Sequence, residues 1–453
     1  MDINQSKNLK FYILCIVFVS FSCQQKDRKF DNPQDPNRDP EKSITTSTIN
    51  KTDGSSGENE DTSSTDSTVT TSKTSGGSGG NNDTSSTDST VTNPDDSVEE
   101  NICLTGNCNP PEGTSFDFSN TFSVTPAGCT QAKRVRVFDT GSDLMVFINV
   151  LCSDRHQVYS IGLNYDGVQT RAPALLTSDC NTGTDGVTDF EVDQGTNGYL
   201  LLYVCKTASS SYRAKVVPVG SNGSAGTSVL YETLTSGDEY YHVSWNSTGS
   251  TYGVIRPSQF QRFNESGSTV GGAITVGSSD EAELPVFGDK WFAVYRYDGN
   301  TGCSKVASNG VLQCNNVSLG SSYSYYYRLL NDSTAIKADS NYNRIYRLSF
   351  NSSTCAISDE SALASLTNVN ISKVFNAISI NSSIGALLYS TNKNQLIMVT
   401  FPKSGSFVTY SESGVASFAT LNSARMKIIH NKIYVAFDKD GVGYVTYSAE
   451  NAQ

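Results

Sequence analysis

Beyond residue 114, one pattern of apolar and polar positions recurs along the chain: a short strand, a tight polar turn, an apolar strand, a loop and a further strand. Seven such turns are centred near Gly141, Gly195, Thr248, Gly288, Asp332, Asn381 and Asn431. The apolar strands that follow them are predicted at 144–151, 199–205, 252–255, 290–297, 334–338, 384–389 and 432–437. Further strands are predicted at 158–163, 214–219 and 396–401, each before an Asn or Gly turn. Successive units lie 40 to 54 residues apart, so the pattern is an internal repeat.

The length and number of these units predict an all-β fold. Seven units of about four strands, without plausible long helices, favour a seven-bladed β-propeller, because closure of a ring of sheets protects the strand edges. The last unit has only three strands before residue 453, and the segment 116–125 could supply the fourth and close the ring. An irregular pair of β-sandwiches and a β-solenoid remain as alternatives.

One unit also carries a family resemblance. The segment 244–255, SWNSTGSTYGVI, is similar to the repeat of TolB-type and WD40-like propellers, although the Pro-Asp-Gly turn of that repeat is absent. The resemblance covers a few residues per unit and implies the fold alone.

The amino terminus has the pattern of an export signal. Lys7 and Lys10 precede an apolar run at 11–21, which is too short for a stable membrane span. Cys23 follows this run closely. In this segment the chain resembles bacterial lipoproteins. The residues before Cys23 depart from the usual lipoprotein motif in a way that is similar to spirochaetal lipoproteins. The resemblance implies a signal peptide at 1–22, acylation of Cys23 and a palmitate-bearing membrane anchor in the cell envelope, at the outer membrane. The alternative is an ordinary secretory signal.

Residues 23–101 are rich in Ser, Thr and Gly, and the sequence DTSSTDSTVT occurs identically at 61–70 and 83–92. A segment with so few apolar residues cannot offset the entropy of ordering itself, so we expect a disordered tether. The folded domain is predicted at 102–453. Two classes of function are disfavoured. A net charge of -12 argues against nucleic acid as a partner, and the three histidines, at 156, 242 and 430, do not form a recognisable catalytic motif.

The cysteine spacing predicts disulfides in an exported protein. Cys129 with Cys152, and Cys180 with Cys205, flank equivalent strands of the first two units. Two more candidate pairs are Cys303 with Cys314, across a hairpin turn, and Cys103 with Cys108. Cys355 is then left over. Paired C-x-x-C spacing is absent, so a zinc site is disfavoured.

Two features suggest a binding surface. Acidic residues gather where units two to four begin, and could form a rim that attracts calcium or a basic protein: Asp185, Asp189, Glu191, Asp193, Asp238, Glu239, Asp280, Glu281 and Glu283. Tyr323, Tyr325 and Tyr327 alternate and could present an aromatic surface to protein or sugar. The alternatives are a solvated acidic surface and, for Tyr325 and Tyr327, packing between blades.

The leading functional hypothesis is therefore a membrane-anchored binding module for a protein or glycan ligand, with no required cofactor. The alternative is a propeller hydrolase or lactonase with an acidic channel mouth, with or without a divalent cation bound there. A structural role in an envelope complex is a third possibility.

Overall fold

The computed structural model describes residues 115–180, 186–208, 211–234, 241–256, 258–277, 281–297, 299–365, 370–404 and 411–449, and in 359–365 only the backbone. These residues form β-strands joined by turns and loops, without a helix. Accordingly, no helix in this part of the chain is long and apolar enough to cross a membrane. The predicted signal peptide, the tether, Cys23 and the pair Cys103 and Cys108 lie outside the described residues.

The strands form seven antiparallel sheets, or blades, whose members follow one another in the sequence. Blade 1 contains β2 (Cys129–Asp139), β3 (Leu144–Cys152), β4 (Arg155–Leu163) and β5 (Gln169–Leu175). Blade 2 contains β6 (Val187–Gln194), β7 (Gly198–Ala208), β8 (Ser211–Gly220) and β9 (Val229–Leu234). Blade 3 contains β10 (His242–Asn246), β11 (Thr251–Arg256), β12 (Gln259–Phe263) and β13 (Thr269–Thr275). In blade 4 the first strand is split into β14 (Glu281–Glu283) and β15 (Val286–Phe287), followed by β16 (Lys290–Tyr297), β17 (Asn300–Ala307) and β18 (Leu312–Ser321).

Blade 5 contains β19 (Tyr325–Leu329), β20 (Thr334–Asp339), β21 (Arg344–Asn351) and β22 (Ala356–Ser365). Blade 6 contains β23 (Ile371–Ser379), β24 (Ile384–Thr391), β25 (Gln395–Pro402) and β26 (Ser411–Ser417). Blade 7 contains β27 (Ala424–Ile429), β28 (Lys432–Lys439), β29 (Val442–Tyr447) and, as its outer strand, β1 (Asn120–Ser123). The predicted seven-bladed propeller is confirmed.

The ring closes where the two ends of the described chain meet. Strand β1 pairs antiparallel with β29, so that Asn120 lies opposite Tyr447 and Ser123 opposite Tyr444. The sequence predicted this closing strand at 116–125. Because β1 completes blade 7 before the chain enters blade 1, the first and last blades are held together by backbone hydrogen bonds.

The second strand of every blade is apolar because it is buried on both faces, between two neighbouring blades. In β3, the side chains from Leu144 to Val150 are all buried, and β24 and β28 follow the same pattern. All seven predicted apolar stretches lie within these second strands. The hydrophobic core is accordingly divided into seven clusters, one between each pair of adjacent blades.

Two of the predicted disulfides are present. Cys129 and Cys152 join the start of β2 to the end of β3, with a Cα–Cα distance of 4.4 Å. Cys180 and Cys205 make the corresponding link in blade 2, at 5.7 Å. The two bridges lie at the same end of their blades, because the first strand begins where the second strand ends.

The prediction of a bridge between Cys303 and Cys314 is wrong. Register shifts in the β17–β18 hairpin place Cys314 opposite Lys305, while Cys303 lies opposite Val317. Cys314 instead bonds Cys355, in the turn between β21 and β22 of the next blade, with a Cα–Cα distance of 6.4 Å. Cys355, expected to be left over, is thus bonded, and Cys303 is a buried free thiol.

Candidate functional site

The first strands of the seven blades surround a central channel that contains two cavities. The larger, of about 280 Å³, lies towards the carboxyl ends of these strands and is lined by Phe138, Trp245, Val286 and Lys427, among others. The smaller, of about 110 Å³, lies towards their amino ends. Both cavities are lined by Arg136, His242, Glu283, Asn376 and Arg425, so these five residues form the boundary between them.

Three arginines surround Glu191 in the channel, and the side chain of Glu191 is only 5% exposed. Its Oε1 lies 2.7 Å from Nη1 of Arg134, and its Oε2 lies 3.2 Å from Nε of Arg136 and 3.4 Å from Nη1 of Arg425. Burial alone would raise the pKa of Glu191, but the three guanidiniums outweigh it and hold this pKa well below its usual value. Glu191 is therefore ionised at any physiological pH.

Glu283, on the first strand of blade 4, has one close cationic partner. Nε of Arg328 lies 2.8 Å from its Oε1, and the same guanidinium reaches Oε1 of Glu281 at 3.4 Å. Burial raises the pKa of Glu283 to about 7, although the charge of Arg328 opposes the rise. Glu283 is thus poised to exchange a proton near neutral pH.

These contacts change the interpretation of the predicted acidic rim. Of its nine members, Asp189, Glu191, Asp193, Glu281 and Glu283 are described, whereas Asp185, Asp238, Glu239 and Asp280 lie outside the described residues. Glu191, Asp193, Glu281 and Glu283 line the channel cavities, and Asp189 lies 2.9 Å from Nη1 of Arg134. Among the described residues, no group of three His, Cys, Asp or Glu side chains is placed to hold a metal ion.

Sequence reasoning found these carboxylates but missed their cationic partners. The signal was present: Arg134 and Arg136 are two residues apart on β2, and Arg425 and Lys427 are two residues apart on β27. In a strand, residues at this spacing point to the same face. Each pair could therefore have been assigned together to the channel wall.

The larger cavity combines apolar walls with a few polar groups. The ammonium group of Lys427 lies 4.3 Å from the ring centre of Phe138, and burial lowers its pKa. Burial, followed by the charge of Arg425, lowers the pKa of His242 to about 3 and keeps the imidazole neutral. Nδ1 of His242 has no hydrogen-bond partner within the described part of the protein.

A second candidate site lies on loops of blades 4 and 5, away from the channel. Tyr297, Tyr323 and Tyr342 are 51%, 67% and 66% exposed. Their loops are joined by backbone hydrogen bonds: the amide of Ser322 donates to the carbonyl of Gly299 at 2.7 Å, and that of Ser340 donates to the carbonyl of Ser324 at 2.9 Å. We call the three tyrosines and the residues of these loops, Gly299, Ser322, Ser324, Ser340, Asn341 and Asn343, the tyrosine face.

The predicted row of Tyr323, Tyr325 and Tyr327 is only partly exposed. Tyr327 is buried between blades 4 and 5, and Tyr325 is half-buried beside it, with the ammonium group of Lys337 4.7 Å from its ring centre. Tyr323 alone contributes to the exposed surface. Tyr297 and Tyr342 complete that surface, and sequence reasoning missed them because they lie on other loops.

Comparison with known proteins adds little to this description. No family model and no curated protein matches the chain. Among solved structures it is similar to virginiamycin B lyase from Staphylococcus aureus (12% identity, TM-score 0.45, covering 73% of this chain and 99% of that one). It is also similar to YCF48 from Cyanidioschyzon merolae (9%, 0.46, 72% and 98%) and to Kluyveromyces lactis Hsv2 (7%, 0.43, 68% and 90%). Similarities this low carry no inference about function, and the fold assignment rests on the strand pairing itself.

Proposed function

We propose that this protein is a membrane-anchored lipoprotein of the cell envelope whose propeller binds a protein partner through the tyrosine face. The signal-like segment at 7–27, with acylation of Cys23, supports the anchor and a location at the outer membrane. The observation that carries the binding proposal is the group of three exposed tyrosines on loops that are hydrogen-bonded to one another.

The composition of the tyrosine face favours recognition of a protein. Its loops consist mainly of Tyr, Ser, Asn and Gly, the residue types that dominate antibody paratopes. Tyrosine offers a large rigid contact area at a small entropic cost, and Ser and Asn offer adaptable hydrogen bonds. Backbone pairing between the loops fixes the relative positions of their main chains before a partner arrives, which lowers the entropic cost of binding.

Two arginines beside the tyrosines also favour recognition of a protein. The guanidinium carbon of Arg344 lies 5.8 Å from the ring centre of Tyr342, and Arg296 donates to the backbone carbonyl of Tyr323. Tyrosine and arginine are, with tryptophan, the residues enriched among binding hot spots in protein interfaces. A partner with exposed carboxylates beside an apolar patch would complement this combination.

The enzymatic alternative is less well supported. Its form with a divalent cation requires channel carboxylates free to bind that ion, whereas Glu191 contacts three guanidiniums, and Glu281 and Glu283 share Arg328. Arginines so close to these oxygens would repel a divalent cation.

Site-specific photocrosslinking in the native cell tests the proposal. A benzophenone amino acid at position 323 or 342 should crosslink a protein, while the same group at the exposed Val168 should not. A variant carrying Tyr297→Ser, Tyr323→Ser and Tyr342→Ser should lose the partner. The matched control, Val168→Ser with Leu230→Ser and Val311→Ser, removes comparably exposed apolar side chains and should retain it.

Absence of a protein crosslink at both tyrosine positions would overturn the proposal. Binding of a glycan, and not of a protein, to the tyrosine face would also overturn it. The anchor is tested separately by labelling with a fatty-acid analogue and by protease shaving of intact cells. The label should depend on Cys23 and disappear in Cys23→Ala.

A further inference from the structure

The channel walls are cationic although the chain is acidic. The protein carries a net charge of -12. Among the described residues that line the two cavities, six are cationic, namely Arg134, Arg136, Arg328, Lys373, Arg425 and Lys427. Only four are acidic, namely Glu191, Asp193, Glu281 and Glu283. An anion that enters the channel thus meets an excess of positive charge in a partly desolvated space, where attraction is stronger than in water.

Two of these cations are available to a ligand in the larger cavity. Lys427 forms no ion pair with a carboxylate of the described residues. Its ammonium group lies over the ring of Phe138, and the charges of Asp193 and Asp139 act on it from beyond ion-pair distance. Arg425 reaches Glu191 through Nη1 alone, at 3.4 Å, and its side chain is 34% exposed. The two residues alternate on β27, so both side chains face the same cavity. By contrast, Arg136 is fully engaged by Glu191, Ser423 and a backbone carbonyl.

The remaining wall of this cavity is largely apolar. It includes Phe138, Trp245, Val286, Leu329, Ile378 and Met426. The neutral ring of His242, whose Nδ1 has no hydrogen-bond partner among the described residues, adds a hydrogen-bonding group beside the two cations. A cavity of about 280 Å³ is slightly smaller than the pockets that hold drug-sized ligands, which start at about 300 Å³. Its occupant should therefore be small, with one charged end and one apolar end.

We propose that the larger cavity binds a small organic carboxylate, with the carboxylate group between Arg425 and Lys427 and the apolar body against Phe138, Trp245 and Ile378. This site is separate from the tyrosine face, and it gives the propeller a second, small-molecule ligand. The cations supply charge-assisted hydrogen bonds, and the apolar wall selects against fully polar anions such as phosphate.

The chain contains its own reporter for this binding. It has two tryptophans: Trp245 lines the cavity, whereas Trp291 is fully buried between blades 3 and 4. Titration of the full-length protein with hexanoate or benzoate should change the tryptophan fluorescence and raise the melting temperature. The fluorescence change should disappear in Trp245→Phe. Hexanamide and benzamide, which lack the charge, should bind at least about tenfold more weakly.

The decisive variant is Lys427→Met, which keeps the length of the side chain and removes its charge. Affinity for hexanoate should fall by about tenfold or more. The matched control is Lys432→Met on the same blade: its ammonium group lies 4.6 Å from the ring of Tyr447, much as Lys427 lies over Phe138, but it does not line the channel. This control should bind as the wild type does.

Equal binding of acids and amides, or unchanged affinity in Lys427→Met, would overturn the proposal. Phosphate binding as tight as hexanoate binding would also overturn it, because the apolar wall would then have no role. The triple variant of the tyrosine face should bind hexanoate normally, so the two proposals can fail independently.

Discussion

Glu191 and Glu283 lie on the wall of one channel, on the first strands of blades 2 and 4. Glu191 is buried, and the side chain of Glu283 is 20% exposed. Burial acts in the same direction on both carboxyls, yet their pKa values move apart. Glu191 contacts Arg134, Arg136 and Arg425 and stays ionised, whereas Glu283 contacts Arg328 alone and has a pKa of about 7.

The difference shows that the number of nearby guanidiniums decides the charge state of a buried carboxylate. One arginine, itself shared with Glu281, does not compensate for the loss of hydration at Glu283. Three arginines more than compensate at Glu191. The channel wall therefore holds a permanent ion-pair cluster at blade 2 and a group that titrates at blade 4.

The largest effect is expected for Glu191→Gln. The substitution leaves the guanidiniums of Arg134 and Arg136 without their main buried counter-charge, so it should lower the free energy of unfolding by about 3–5 kcal/mol at pH 7. Because the pKa of Glu191 is depressed in the folded state, its contribution is complete above about pH 4.5 and is lost as the pH falls further. Urea unfolding at pH 7 measures the loss. A loss below about 1 kcal/mol would contradict the conclusion that Glu191 is the main counter-charge of these arginines.

Glu283→Gln should have the opposite sign. The folded-state pKa lies above the usual 4.5, so the wild type loses stability as the pH rises from about 4.5 to about 7 and the carboxyl ionises. The amide does not ionise, and at pH 8 the variant should be more stable than the wild type by at most about 3 kcal/mol. At pH 4 the difference should be close to zero.

Urea unfolding of both proteins between pH 4 and pH 9 measures this trend. The charged groups that act on Glu283, namely Arg328, Arg425, Glu281 and Glu191, are the same in both proteins. A difference that does not change with pH would mean that Glu283 does not titrate near neutrality.

The fold could be predicted from the sequence because its strongest signal is local. Second strands buried on both faces appear as continuous apolar runs, as in 144–151, and each follows a polar turn. The bridge between Cys129 and Cys152 could be predicted because both residues flank one hairpin. The pair Cys303 and Cys314 also flanks a hairpin, but the bulges that shift its register leave no such signal.

The candidate site was less accessible to sequence reasoning, because its partners are distant along the chain. Arg425 and Glu191 are 234 residues apart and meet only because blade 7 returns beside blade 1. Carboxylates clustered in sequence therefore suggested an acidic rim, whereas the arginines that neutralise it come from other blades. Arg134, Arg136 and Arg328 lie on directly neighbouring blades, and ring closure supplies Arg425. The tyrosine face, likewise, draws its three rings from three separate loops.

The smallest effect is expected for Arg425→Met, which tests how much Arg425 contributes to the ion pairs of Glu191. Arg425 is 34% exposed and contacts Glu191 at 3.4 Å, so its removal should cost at most about 1 kcal/mol of unfolding free energy. Arg136→Met is the matched control, because Arg136 contacts the same carboxylate from a buried position and should cost about 3–5 kcal/mol. Equal losses would mean that Arg136 and Arg425 contribute alike to the cluster. Unequal losses would identify Arg136 as a structural partner of Glu191 and leave Arg425 available for a ligand, in which case Arg425→Met should weaken hexanoate binding more than it weakens the fold.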